Sequence, residues 1–305
     1  MPQESPFDVL VVGSANLDFV VTVPHHPATG ETVLGGDHEQ FPGGKGANQA
    51  VAGARLGARV AFVGMVGDDG PGAALRQSLE DAQVNTDGLG TAVDAASGIA
   101  LITVDSDGDN AITVSPGANA LVSTAVVDEN VHALGATVTQ LQLEIPIETV
   151  VYAAQQATGI VVLDPAPAPT TGIPDDLLAA IDVLVPNETE LALLAGRSVD
   201  PTNVGDIEKA ATSLGVNTVV VTLGANGAVV VTNEGAVHVE APRIEPVDTT
   251  AAGDAFRSAL SVSLAAGDSI VEAVEFAVRV GAATAMEFGA QPSLPTRERV
   301  DERLS

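Results

Sequence analysis

Short apolar runs, each ended by a glycine, a proline or a polar pair, recur along this chain and alternate with stretches of helical period. The first, at 9–13, is continuous and closes on Gly13, as expected for a strand buried on both faces of a parallel sheet. Residues 19–23 make a second strand-like run. Asn16 and Asp18 precede it at strand spacing, so both can point to one face. A polar turn pair is the plain alternative, but their place just past the first strand's carboxyl end favours ligand contact. A helix is expected over 50–56, closed by Gly57, then a strand over 59–65 and a helix over 72–82. Residues 97–104 and 110–114 flank Asp105-Ser106-Asp107-Gly108-Asp109, a hairpin with Asp-Gly in its turn.

From Thr124 onward strand and helix alternate. Strands are expected at 136–144, 159–164, 183–185 and 218–222, and helices at 148–157, 174–181, after Asn187, and at 207–214. Residues 228–231 return antiparallel through the turn at 223–227. The last part reads as helices at 256–264, 270–288 and 295–304, punctuated by Gly267 and Gly289. This alternation predicts an α/β fold, a doubly wound, mostly parallel sheet flanked by helices. The pieces at 15–45 and 96–118 do not alternate with helices and predict a small separate β-sheet. The main domain is left with 1–14, 46–95 and 119–305.

Of the 305 residues 46% are hydrophobic, ample for a core, but only 3% are aromatic, so that core must be mainly Val, Ala and Leu. Acidic residues number 40 against 12 basic, a net charge of −28, and Lys45 and Lys209 are the only lysines. Such a balance looks like adaptation to a salt-rich, halophilic cytoplasm, where ions screen the repulsion of surface carboxylates. It argues against nucleic acid or an anionic membrane as partner. The absence of cysteine excludes disulfides, thiolate catalysis and Cys-based metal sites. His25, His26, His38, His132 and His238 lack metal-ligand spacing. The start, Met1-Pro2-Gln3-Glu4, has neither a basic beginning nor a long apolar run. No window reaches the ~18 apolar residues of a membrane span, and a soluble cytoplasmic protein is expected.

Candidate chemistry centres on Asp248-Thr249-Thr250-Ala251-Ala252-Gly253-Asp254-Ala255-Phe256, an extended segment entering a helix. A bare helix start offers unpaired N–H groups and the positive end of a dipole to an anion. Asp254 in the first turn could accept the proton of a hydroxyl nucleophile while those donors hold phosphate oxygens. The same placement suits an acid that only complements the dipole, and the local pattern does not choose between the two. Pro42-Gly43-Gly44-Lys45-Gly46-Ala47-Asn48-Gln49 opens another helix with bare backbone and polar side chains. It is not a Walker A loop, since the first glycine and the Ser/Thr after lysine are missing. The acidic hairpin turn lacks the spacing of a calcium loop.

Together these stretches resemble the ribokinase family of sugar kinases, of PfkB type. The resemblance rests on Gly13-Ser14 with Asn16 and Asp18, the segment 43–50, Gln142-Leu143-Glu144, Asn187-Glu188-Thr189-Glu190, Thr222-Leu223-Gly224-Ala225-Asn226-Gly227, the stretch 248–256 and Gly289-Ala290-Gln291-Pro292-Ser293. They are collinear over essentially the whole chain. The resemblance implies that the small sheet is a lid, closing over sugar and often pairing between subunits. It implies Asp254 as base with Ala251, Ala252 and Gly253 as anion hole, and sugar contacts from Asn16, Asp18, Gly44, Lys45, Asn48 and Glu144. Asn187 and Glu190 would organise phosphates and Mg2+, and Thr222, Gly224 and Gly227 would line the ATP site. A monovalent cation, K+, is implied near Asp248, Thr250, Gly289 and Ser293. The implied reaction is transfer of the γ-phosphate of ATP to the primary hydroxyl of ribose, in a possible homodimer joined through the lid. Ribose 1-phosphate, a nucleoside, fructose or a keto-deoxy sugar acid stay open as acceptors, ADP as donor, and a non-catalytic sugar sensor as the reading of another class. Two departures stand out. Ala251 replaces a common glycine, and Arg257-Ser258 replaces a small or amide residue followed by glycine, a bulkier and positively charged wall behind the base.

Overall fold

The computed structural model describes residues 7–305. Residues 1–6, which begin the expected main domain and include the start at Met1-Pro2-Gln3-Glu4, lie outside the described residues. In chain order the strands are β1 (Val9–Val12), β2 (Asn16–Thr22), β3 (His38–Gly43), β4 (Val60–Gly67), β5 (Asn85–Ala92), β6 (Gly98–Val104) and β7 (Asn110–Ser115). They continue with β8 (Val138–Leu141), β9 (Ile160–Leu163), β10 (Val183–Leu184), β11 (Thr218–Thr222), β12 (Ala228–Thr232) and β13 (Gly235–Val239). The main sheet runs β13-β12-β11-β10-β9-β8-β1-β4-β5. Every neighbour from β11 to β5 is parallel, and β12 and β13 add an antiparallel edge.

Both faces are covered, which is why β1 is apolar at every position. Val9 and Val11 pack with the helices Lys45–Arg55, Ala252–Ala266 and Ile270–Thr284. Leu10 and Val12 pack on the opposite face with Ile147–Gln156, Glu188–Leu194 and Val204–Thr212, following the two-residue period of a strand. The chain leaves β1 for β4 on one side and returns to β8 on the other, so β1 is the switch point, where α/β sheets bind ligands beyond their carboxyl ends.

The small sheet is ordered β3-β2-β6-β7. Its middle pair is parallel and its outer pairs are antiparallel, with Ile102 opposite Ile112 in the hairpin. Register puts Asn16 and Asp18 on the face that continues through Ala100 and Ile102 to Ile112 and Val114. Phe41 on β3 meets Phe288 edge to face at 6.2 Å, joining this sheet to the main body.

Three differences from the sequence reading bear on the site. The helix expected at 50 begins at Lys45, because Asn48 and Gln49 are buried there against polar partners rather than left to solvent. The helix expected from 256 begins at Ala252. The helix expected to reach 288 stops at Thr284, and the carbonyl of Ala285 then accepts from the Val247 N–H at 2.8 Å.

Candidate active site

Asp254 lies in the first turn of Ala252–Ala266 and is 8% exposed. Ala251, the residue before that helix, is held at φ 60, a left-handed conformation that costs an L-residue roughly 1–2 kcal/mol and marks a strained turn. The turn bends the chain so that the helix opens without a side-chain cap. The Ala252 N–H turns back to the Thr249 carbonyl at 3.2 Å, whereas those of Gly253 and Asp254 find no acceptor among the described residues. The Ala251 N–H likewise has no acceptor among the described residues, so of the expected Ala251-Ala252-Gly253 set only Ala252 is turned away, and Asp254 adds a donor of its own.

Two amides from the helix Lys45–Arg55 fix the carboxylate. Asn48 Nδ2 donates to one Asp254 oxygen at 2.9 Å and Gln49 Nε2 to the other at 3.1 Å. Glycine brings this helix close enough, for a Cβ on Gly46 would lie 2.7 Å from the backbone N and O of Ser14 at the end of β1. Gln49 uses its whole hydrogen-bonding capacity. Its Nε2 also donates to Asp164 at 3.0 Å, and its Oε1 accepts from Gln140 at 2.8 Å and from Gln142. Asp164, at the end of β9, is fully enclosed and pairs with Arg257 Nε at 2.9 Å. Burial pushes its carboxyl up to about 6 against the pull of Arg257 and Lys45. Gln49 and Asp164 were not legible as site residues; their one signal was polarity inside apolar elements.

Around Asp254 stand the residues expected to hold sugar. Asn16 is set by Asn119, a residue the sequence reading passed over. Asn119 Oδ1 accepts from the Ala15 N–H at 2.9 Å, which fixes its Nδ2 as donor to Asn16 Oδ1 at 2.8 Å. The Asn16 amide N–H groups are left to face elsewhere. Glu144 Oε2 accepts from the Ser14 hydroxyl at 2.5 Å and the Lys45 N–H at 3.1 Å. The Lys45 ammonium makes no hydrogen bond or ion pair among the described residues. Burial opposes its charge, yet Asp254, Asp164 and Glu144 around it more than offset that and raise its pKa. Asn48 Oδ1 is buried without a partner.

Asp18 is buried, and its carboxylate accepts no hydrogen bond among the described residues. Burial, then the nearby charges of Glu144 and Asp254, push its pKa up to about 7 from 3.8. The folded chain thus keeps a proton that the unfolded chain gives up between those values, so stability falls as pH rises through that window. Asp18→Asn removes the penalty. Its melting temperature at pH 8 is expected to exceed wild type by several degrees, with the gap closing towards pH 4; an equal gap at both pH values contradicts this origin.

The residues expected to line the nucleotide lie along the neighbouring strand ends. Asn187 caps Glu188–Leu194 in a reciprocal box with Glu190, through bonds of 2.8 Å each way, and bridges to Thr222 at the end of β11. Gly224 and Gly227 shape the turn after it; a Cβ on Gly227 would fall 2.0 Å from the Val239 carbonyl. Among the described residues no hydrogen bond joins these directly to those expected to hold sugar, and Arg257 stands between the two groups. Its Nη2 is 3.6 Å from Glu190 Oε2, and at 6% exposure it is turned inward rather than towards the small sheet.

The four residues expected at a cation stand on two loops tied together. Asp248 accepts from the N–H and hydroxyl of Thr250 at 2.9 and 2.6 Å and from the Gly289 N–H at 2.9 Å. Burial opposes its charge, but these bonds outweigh it and hold the carboxyl below its usual range. The buried Ser293 hydroxyl donates to the Ala290 carbonyl at 2.8 Å.

The family described as pfkB family carbohydrate kinase matches this chain over residues 7–297. A ribokinase of Haemophilus influenzae is 38% identical over 301 residues, which span 96% of this chain and 97% of that protein. The solved structure of a ribokinase from Thermotoga maritima superposes with a TM-score of 0.89 at 38% identity, covering 98% of this chain and 99% of that one. Arabidopsis thaliana ribokinase complexed with ribose and ATP gives 0.89 at 34% identity, again covering 98% and 99%. With small sheet, glycine-rich helix and Asp254 helix all inside these matches, the chain belongs to the pfkB family of carbohydrate kinases.

Proposed function

We propose that the protein transfers the γ-phosphate of ATP to the primary 5-hydroxyl of D-ribose, giving ribose 5-phosphate and ADP. The observation that carries this reading is the Asp254 carboxylate, fixed by Asn48 and Gln49 beside the unpaired N–H groups of Gly253 and Asp254. Asp254 takes the hydroxyl proton as the sugar oxygen bonds to the γ-phosphorus. The bond from that phosphorus to the bridging oxygen breaks, and its electron pair leaves with ADP. The two N–H groups hold the charge on the transferring oxygens.

Unbonded polar groups support a polyhydroxylated ligand: the Asp18 carboxylate, Asn48 Oδ1 and the Lys45 ammonium converge there. A neutral sugar is favoured over ribose 1-phosphate, since 15–45 and 96–118 carry no arginine and Arg257 is engaged with Asp164 and Glu190. A nucleoside would want an aromatic platform, and Tyr152, the one tyrosine, hydrogen-bonds Asp128 outside the small sheet. The retained base and polar shell speak against a non-catalytic sensor.

Among the described residues no three His, Cys, Asp or Glu side chains cluster as metal ligands. This suits Mg2+ carried on the nucleotide phosphates, where it would neutralise charge, with Glu190, whose Oε1 is unbonded, and Asn187 ordering its water. The all-oxygen donors of the Asp248 and Gly289 loops suit K+, held beside the anion hole. The small sheet would act as a lid, its boundaries near 15–45 and 96–118. Ile112 and Val114, 55% and 46% exposed on the Asp18 face, would close on the sugar or on a second copy in a homodimer. No helix among the described residues is long and apolar enough to cross a membrane, in keeping with a cytoplasmic enzyme, and the −28 charge suits work in concentrated KCl.

A panel of pentoses, hexoses, nucleosides and sugar phosphates, each with ATP and with ADP, in KCl and in LiCl, tests the reading. Fastest turnover is expected for ribose with ATP in KCl. Turnover confined to a phosphorylated sugar or a nucleoside would overturn the substrate assignment.

A further inference from the structure

Arg257 lies one helical turn after Gly253, on the same face of Ala252–Ala266. A long helical side chain runs back towards the N-terminus, over the turn before its own Cα, and this one does so. A Cβ on Gly253 would lie 2.7 Å from Arg257 Nη1, so glycine at 253 leaves the space that the guanidinium fills. Nε is spent on Asp164 and the Val185 carbonyl, and Nη2 stands 3.6 Å from Glu190. Nη1, the nitrogen next to Gly253, makes no hydrogen bond among the described residues.

A full positive charge thus sits between the free N–H of Gly253 and the carboxylate of Glu190, held in place by a buried partner. Resting on the kinase reading above, we propose that Arg257 supplies a cis-acting positive charge at the phosphoryl-transfer site. It stabilises the phosphoryl group as it passes from the bridging oxygen to the sugar hydroxyl. Asp164 is its positioning residue, and the pairing explains why a buried acid and a buried base stand behind Asp254. An always-charged, pre-oriented guanidinium favours the charge-spread transition state over the ground state.

Arg257→Asn alone strands the Asp164 charge and can unfold the chain for that reason. The informative variant is therefore R257N with D164N, which leaves amides and no buried charge. Expected are a melting temperature near wild type, a sugar KM within about twofold, and a kcat lowered by roughly 100- to 1000-fold, the scale of losing one charge-stabilising group. Arg257→Lys should recover part of that loss. A double variant with wild-type kcat would show that Arg257 only neutralises Asp164 and would overturn the proposal. A second readout needs no sugar. ADP with aluminium fluoride, a mimic of the transferring phosphoryl, should raise the melting temperature of wild type more than that of the double variant, with ADP alone shifting both equally. Equal shifts with the mimic also overturn it. A wild-type protein that turns over no sugar yet shows the unequal shifts would sink the substrate reading and leave this one standing.

Discussion

Asp254→Asn is expected to lower kcat by about a thousandfold, within the range a positioned general base contributes, while sugar and nucleotide affinities change little. The substitution turns one carboxylate oxygen into an N–H donor facing the amides of Asn48 and Gln49. Gln49 cannot adapt, because both of its ends are committed. Asn48 can, since its Oδ1 has no partner and a flip of the amide presents that oxygen to the new donor. The variant should therefore fold and bind, and lose only the proton acceptor. Single-turnover kinetics and ribose titration separate the two effects. A variant retaining a tenth of wild-type kcat would remove Asp254 from the role of base.

Gly44→Ala is expected to damage the sugar site more than any other single methyl group. Gly44 holds φ 86 and ψ 135, and a Cβ there would stand 2.6 Å from the Asn16 N and 2.9 Å from the Ala15 Cα. Both obstacles are backbone, so no rotamer change relieves them. Strain of this kind costs on the order of 1–3 kcal/mol, and the close contact adds to it. The chain must move just where the helix Lys45–Arg55 begins, carrying the Lys45 N–H off Glu144 and Asn48 and Gln49 off Asp254. Ribose KM should rise about a hundredfold and kcat should fall with it, since misplacement of about 1 Å near a reacting group is enough for such losses. Gly57→Ala is the control: φ is 92 but nothing lies within 4 Å of its Cβ, so it should cost some stability and leave KM alone. Equal KM values for the two variants would mean that backbone strain alone, not the site, is being read.

Which parts of this were legible in the chain follows from how each part is built. The apolar runs of β1, β8, β9 and β11 stood out because both sheet faces are covered. β5, with the sequence Asn85-Thr86-Asp87-Gly88-Leu89-Gly90-Thr91-Ala92, carries two glycines and little apolar character. It is a strand only because it pairs with β4. β13 is a partly exposed edge and gave equally little signal. At the site, Asp254, Lys45 and Asn48 stand on bare helix openings and Glu144 closes an expected strand, but the part each is expected to play came from the family resemblance of those stretches taken together. Gln49, Asn119 and Asp164 could not be named. Their roles exist only after distant strand ends meet, as when Asn119 reaches Ala15 across a hundred or so residues of chain. Arg257 was legible as a departure but not in direction. It read as a bulkier, positively charged wall behind the base, and only the fold shows that it turns to Asp164 and Glu190.

The most direct measurement follows the phosphorus itself. Wild-type protein is incubated with ATP, Mg2+, K+ and D-ribose and monitored by phosphorus NMR. Expected is loss of the γ-phosphate signal with matched growth of ADP and of a phosphomonoester coupled to the ribose C5 protons, absent with Asp254→Asn. ATP left intact, while ribose still raises the melting temperature, would contradict phosphoryl transfer at this site.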